Sequence, residues 1–174
     1  PVLLDQYNGL VSFVWHEEVF TAPFAYRNLH PHTLTTRGDS GRIFASVLRC
    51  CGYIVFQRKS GKKQTQHRHR VVREMINHMR NGDKVLYGLA VDGSDGPPFR
   101  IKRGGLVIAK ACNKPILLSR TWYKRYVRLP TWDRMAVPLP FNIIYQYATG
   151  PHELPRDTDT REGLELFRLK LENE

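Results

Sequence analysis

His16 stands at the end of a short apolar run, residues 10–15, Leu-Val-Ser-Phe-Val-Trp. An imidazole there suits general-base chemistry, because it titrates near neutrality and leaves a buried strand where a ligand could meet it. The plainer alternative is a histidine satisfied by a backbone carbonyl. Asp39, in the turn Gly38-Asp39-Ser40, either orients His16, binds substrate or caps the helix that follows, and these roles can coexist. A third group lies in Asp92-Gly93-Ser94-Asp95-Gly96-Pro97-Pro98. Turn chemistry alone explains such a composition, but its small residues also let backbone N–H groups approach a ligand oxyanion. Arg100, Lys102 and Arg103 follow, either as a solvated basic face or as charge placed where a phosphate would also meet a helix N-terminus. The expected site is therefore His16 and Asp39 as catalytic groups, with Asp92, Gly93, Arg100 and Arg103 binding substrate.

These residues need a frame. Residues 10–15 are rich in β-branched and aromatic side chains and read as a buried strand, after which Glu17 and Glu18 open a helix-like stretch to about Arg27. Residues 33–37 read as strand, 38–40 as turn, and Ile43, Phe44, Val47, Leu48 and Cys51 recur at helical spacing. Residues 53–57 form a third strand. Val71, Val72, Met75, Ile76 and Met79 mark a helix face that ends near Asn81-Gly82. A fourth strand covers 84–91, a helix 103–112, a fifth strand 115–121 and a sixth 143–149. A last helix, 159–171, starts on Asp159-x-x-Glu162, which has the form of a capping box. Strands alternating with helices predict an α/β fold: one domain over 1–174, its mostly parallel sheet flanked by helices, with 151–174 as an acidic helical tail. In such sheets ligands gather beyond the C-terminal strand ends. His16, Asp39 and Asp92 all fall there.

Charge narrows the partners. The chain of 174 residues carries a net charge of +11, yet residues 151–174 hold four Lys/Arg against seven Asp/Glu, which leaves +14 on residues 1–150. A cationic body with an acidic tail favours phosphate-rich partners: nucleic acid, anionic lipid, or a phosphorylated substrate. Residues 58–73 carry seven Lys/Arg and no acid. Trp122, Tyr123, Tyr126 and Trp132 are interleaved with Arg120, Lys124, Arg125, Arg128 and Arg134, a pattern for stacking bases or for a membrane interface. No DNA- or RNA-binding signature accompanies them, so nucleic acid is not the expected partner. Cys50, Cys51 and Cys112 match no disulfide or zinc spacing and indicate a reducing compartment, while His67-x-His69 lacks further ligands, so no metal is expected. No apolar run approaches the roughly 20 residues that span a bilayer, and no leader peptide is visible.

Several segments together resemble the lysophospholipid acyltransferase-like superfamily, in particular a bacterial branch catalogued as a domain of unknown function. Trp132-Asp133-Arg134-Met-Ala-Val-Pro138-Leu-Pro140-Phe141 resembles the branch's Trp-Asp-Arg…Pro-x-Pro-Phe motif. Val91-Asp92-Gly93-Ser94-Asp95-Gly96-Pro97 is similar to its Pro-Asp-Gly-Pro-Arg-Gly-Pro loop, the counterpart of Glu-Gly-Thr-Arg in the wider superfamily. Residues 105–116, Trp15-His16 and Arg37-Gly38-Asp39 follow the pattern too, so that the similarity covers about residues 10–151. The resemblance implies an acyltransferase-like fold that transfers an acyl chain from acyl-CoA or acyl carrier protein to a lipid hydroxyl. It also implies work at an anionic phospholipid membrane, in the cytoplasm and peripheral to the inner membrane, with no bound cofactor and with His16 as base. The chain departs from the superfamily's His-x4-Asp at Thr21, which leaves Asp39, Glu17 or Glu18 to orient the histidine, and from the loop arginine at Asp95. Both departures are what a catalytically inactive lipid- or anion-binding module on the same fold would show. A nucleic-acid-binding protein is the other alternative. Oligomeric state is not readable from the chain.

Overall fold

The computed structural model describes residues 2–58, 65–93 and 96–174; the side chains of residues 39, 40, 58 and 65–68 lie outside that description. Its centre is a six-stranded sheet in the order β3-β2-β4-β1-β5-β8. The strands are β1 (Leu10–Val14), β2 (His32–Thr36), β3 (Ile54–Arg58), β4 (Leu86–Ala90), β5 (Ile116–Tyr123) and β8 (Ile144–His152). The first five run parallel and β8 pairs antiparallel with β5, which makes the expected α/β architecture with a mostly parallel sheet. Two short strands, β6 (Tyr126–Arg128) and β7 (Ala136–Pro138), form a separate hairpin between β5 and β8.

Helices cover both faces, as a parallel sheet requires. On one face α4 (Thr65–Asn81), α5 (Arg103–Cys112) and α6 (Arg161–Glu172) bury Met75, Met79, Leu106, Ile108, Phe167 and Leu171 against Val11, Phe13, Tyr87 and Leu118. On the other, α1 (Val2–Tyr7) and the segment after β1 pack Leu4 and Leu29 on Leu10 and Leu86. α3 (Asp39–Cys50) links β2 to β3 and ends beside that segment, where the Tyr53 hydroxyl donates to the Ala22 carbonyl at 2.9 Å.

Two expected elements differ. Residues 17–27 are not one helix. A 3-10 turn at His16–Glu18 is followed by α2 (Ala22–Ala25) and a second 3-10 turn at Arg27–Leu29. Pro23 explains the break: it has no N–H to donate to the carbonyl four residues earlier, and its ring would strike that group. α6 begins at Arg161, and its cap is Thr160, whose hydroxyl accepts from the Gly163 N–H at 2.9 Å, rather than an Asp159–Glu162 box. Among the described residues no helix is long and apolar enough to cross a membrane.

Candidate active site

The strand register places the site. β1 and β4 pair in parallel from Leu10 opposite Leu86 to Val14 opposite Ala90, and the Val91 N–H still donates to the Val14 carbonyl at 3.1 Å. Two residues further along, the same register sets His16 opposite Asp92. The chain leaves β1 toward the face carrying α2 and leaves β4 toward the face carrying α5. The two connections diverge at the C-terminal ends of adjacent strands, the place where ligands meet such sheets.

Asp92 is buried at that divergence, 1% exposed. Its Oδ1 lies 2.6 Å from the His16 Nδ1 and also accepts the His16 backbone N–H at 3.1 Å. A carboxylate oxygen only accepts, so in the neutral ring Nδ1 carries the hydrogen and the lone pair sits on Nε2. Among the described residues Nε2 has no hydrogen-bond partner, and the His16 side chain is 23% exposed. A buried carboxylate that makes both a ring and a backbone contact fixes the tautomer and the orientation of the imidazole, as in a catalytic His–Asp pair.

The carboxylate on His16 is thus Asp92, expected as a substrate residue, while Glu17 and Glu18 make other contacts. Glu17 pairs with Arg128 at 3.3 Å. Burial pushes its carboxyl up, Arg128 opposes that, and the nearby Asp92 charge adds to it. Glu18 is buried, and burial pushes it up to about 7 against the pull of Arg120. Asp39 is the first residue of α3, after Gly38 at the N-cap position, and its side chain lies outside the described residues. Thr21, at the position of the superfamily's aspartate, is 2.7 Å from the Tyr123 hydroxyl and fastens the segment after His16 to the end of β5.

The loop after β4 is shaped by close approach. Gly93 has φ +75°, and a Cβ there would stand 2.6 Å from both Cδ and Nζ of Lys102. The Lys102 chain therefore lies over Gly93, and the Lys102 N–H donates to the Val91 carbonyl at 2.7 Å. Gly96 has φ +63°, and a Cβ there would come within 2.9 Å of the Trp132 ring. That ring also meets His16, centroids 5.2 Å apart and tilted by 57°. Trp132 is held by the turn at 129–135, where the Leu129 N–H donates to the Met135 carbonyl and buried Asp133 accepts the Met135 N–H at 3.4 Å. Ser94 and Asp95 lie outside the described residues.

The expected cations sit elsewhere. Arg103 pairs with Glu165 at 3.1 Å and Arg100 approaches Glu172 at 4.0 Å, so both are engaged by α6 of the acidic tail. Lys102, between them, is the one that reaches the loop. The sequence marks Trp132 for stacking and Lys102 for charge; only the fold shows one against His16 and the other against Gly93. Among the described residues no group of three or more His, Cys, Asp or Glu could hold a metal.

Comparison with known proteins adds one relative. The chain is 24% identical over 152 residues to Uncharacterized protein RP090 of Rickettsia prowazekii (strain Madrid E), a match that covers 86% of this chain. It spans 66% of that relative, just under two thirds of its length. No family model matches the chain, and no solved structure matches it.

Proposed function

We propose that this domain is an acyltransferase of the lysophospholipid acyltransferase-like type, which moves an acyl chain from acyl-CoA or acyl carrier protein to a lipid hydroxyl at a membrane surface. The observation that carries the reading is the 2.6 Å contact between His16 Nδ1 and Asp92 Oδ1, with no hydrogen-bond partner on Nε2 among the described residues. The resemblance of the Trp132–Phe141 and Asp92–Pro97 stretches supports it. In this reading Nε2 takes the proton of the acceptor hydroxyl as its oxygen attacks the thioester carbonyl. Asp92 steadies the imidazolium that forms. The tetrahedral oxyanion develops beside the Gly93 loop and the Lys102 ammonium, then collapses with loss of thiolate, which recovers the proton from His16. The products are an ester and a free thiol. Glu17, Glu18 and Asp39 are not needed as orienting groups, so Thr21 is compatible with activity.

The test is incubation with a mixed pool of acyl thioesters and lysolipids, read by mass spectrometry for new ester and free thiol. Wild type should turn over at least one pair, and a folded His16→Ala should lose about two to four orders of magnitude of that rate. If His16→Ala retains nearly all the activity, the mechanism is wrong. If wild type shows none across the pool, an anion- or lipid-binding module replaces it.

A further inference from the structure

We propose that the sheet end bearing His16 docks on an anionic lipid bilayer through the turns at 124–125 and 139–143, with Phe141 as the side chain that enters the lipid. The placement follows from the sheet. β5 runs parallel to β1, so Trp122 and Tyr123 emerge at the same end as His16, and the Thr21–Tyr123 contact at 2.7 Å fastens the two connections together. From Tyr123 the chain turns through Lys124 and Arg125, makes the β6–β7 hairpin, and returns through residues 139–143 into β8.

Phe141 is 100% exposed and sits at φ +54°, a conformation a phenylalanine rarely adopts. Polar contacts hold it there. The Arg125 guanidinium donates to the Phe141 carbonyl at 2.9 Å and to the Pro140 carbonyl at 3.3 Å. The Asn142 side-chain oxygen accepts the N–H groups of Arg125 and Ile143, each at 2.9 Å, and the Lys124 N–H donates to the Ile143 carbonyl at 3.0 Å. A turn pinned this closely, presenting a fully exposed aromatic ring, is built to bury that ring in something else. Around it Trp122 is 65% exposed and Ile143 48%.

Charge selects the occupant. Between residues 120 and 150 the chain has five Lys/Arg, and its one acid, Asp133, is buried. Arg128 pairs with Glu17. Lys124 and Arg125 border the apolar side chains with positive charge, and no exposed acid lies in this stretch, the complement of an anionic headgroup layer. Trp and Tyr suit the headgroup level, and Phe the acyl boundary below it. Single-stranded nucleic acid would use the flat rings and the cations but has no use for Ile143 and Leu139. A second copy meeting this surface across a two-fold axis would set Lys124 and Arg125 against their own counterparts.

The proposal rests on the acyl-transfer reading for its purpose, delivery of a lipid acceptor to His16, but vesicle binding is measured without turnover. Co-sedimentation is run with phosphatidylcholine vesicles, with and without phosphatidylglycerol. Wild type should bind the anionic vesicles, less so as salt rises, and Phe141→Ser should bind about tenfold more weakly with an unchanged circular dichroism spectrum. Lys124→Glu should also weaken binding, while His16→Ala should bind like wild type. Equal binding by Phe141→Ser and wild type overturns the proposal, as does wild type left in the supernatant with anionic vesicles. Dissociation of a wild-type dimer by Phe141→Ser with vesicle binding untouched would reassign the surface to a second copy. Displacement from vesicles by a single-stranded oligonucleotide that Phe141→Ser binds equally well would reassign it to nucleic acid. If vesicle binding behaves as expected but no thioester is consumed, the docking stands and the acyl-transfer reading falls. If a short-chain, water-soluble acceptor is turned over but vesicles are not bound, the acyl-transfer reading stands and the docking falls.

Discussion

His16 and His32 are the same side chain at opposite ends of one sheet. His16 follows β1 at the C-terminal strand ends, where connections diverge, and one ring nitrogen is taken by a buried carboxylate while the other is left open. His32 opens β2 at the N-terminal ends, 8% exposed, packed among the rings of His78, Tyr87 and Phe56, with neither ring nitrogen in a hydrogen bond of good geometry. Burial, and then the neighbouring His78 ring, hold His32 down to about 4, partly offset by the Leu86 backbone. His16 keeps one ring nitrogen outside any hydrogen bond among the described residues, whereas His32 is buried where its charged form is disfavoured. The difference comes from the partner that the strand register supplies.

Removing that partner should have the largest effect. Asp92→Asn keeps the shape, but an amide can donate to Nδ1, which moves the hydrogen to Nε2 and leaves no base facing the substrate. Turnover should fall by about two to four orders of magnitude in a thioester assay, with the fold retained. A variant within about threefold of wild type would place His16 and Asp92 in the same class as His32, as packing.

His32 should affect stability instead. Its folded proton affinity is below the unfolded value of about 6.5, so the unfolded chain binds more protons between about pH 6.5 and 4, and this contribution to stability is lost as pH falls through that window. His32→Phe should remove that component. Its melting temperature relative to wild type should rise by about 5 °C between pH 7 and pH 4.5, with no change in turnover at pH 7. Parallel melting curves for the two proteins would contradict the assignment.

The sequence showed where these histidines stand along the strands but not what stands beside them. Residues 10–15 are legible as a buried strand because the short run is apolar apart from Ser12 and rich in β-branched and aromatic side chains, and the 92–98 loop because its glycines and prolines admit little else. The His16–Asp92 pair was not legible, because the two residues are 76 apart and meet only once β4 inserts between β2 and β1. Glu17, Glu18 and Asp39 were the carboxylates nearer along the chain, and strand order rather than sequence distance makes Asp92 a neighbour of His16. Arg100 and Arg103 stood in the expected place for a phosphate, but α6 returns along that face with Glu165 and Glu172. The β6–β7 hairpin was not legible either, because three-residue strands leave no measurable period.

The α6 contact gives the smallest expected effect and probes the cationic side of the site. Arg103 is about half exposed and its partner Glu165 is held down to about 2 by Arg168 and then Arg103. Arg103→Ala should therefore leave the midpoint of a denaturant titration little changed and turnover within about twofold. A tenfold loss of turnover would return Arg103 to the site.

The role of Asp92 is tested most directly by the ring nitrogen spectrum of His16 in protein labelled with nitrogen-15, assigned by comparison with His16→Ala and recorded where the imidazole is neutral. The buried carboxylate predicts the tautomer with hydrogen on Nδ1 and a lone pair on Nε2, and loss of that preference in Asp92→Asn. A wild-type spectrum showing hydrogen on Nε2, or the same Nδ1–H tautomer in both proteins, would contradict the claim that Asp92 makes His16 a base.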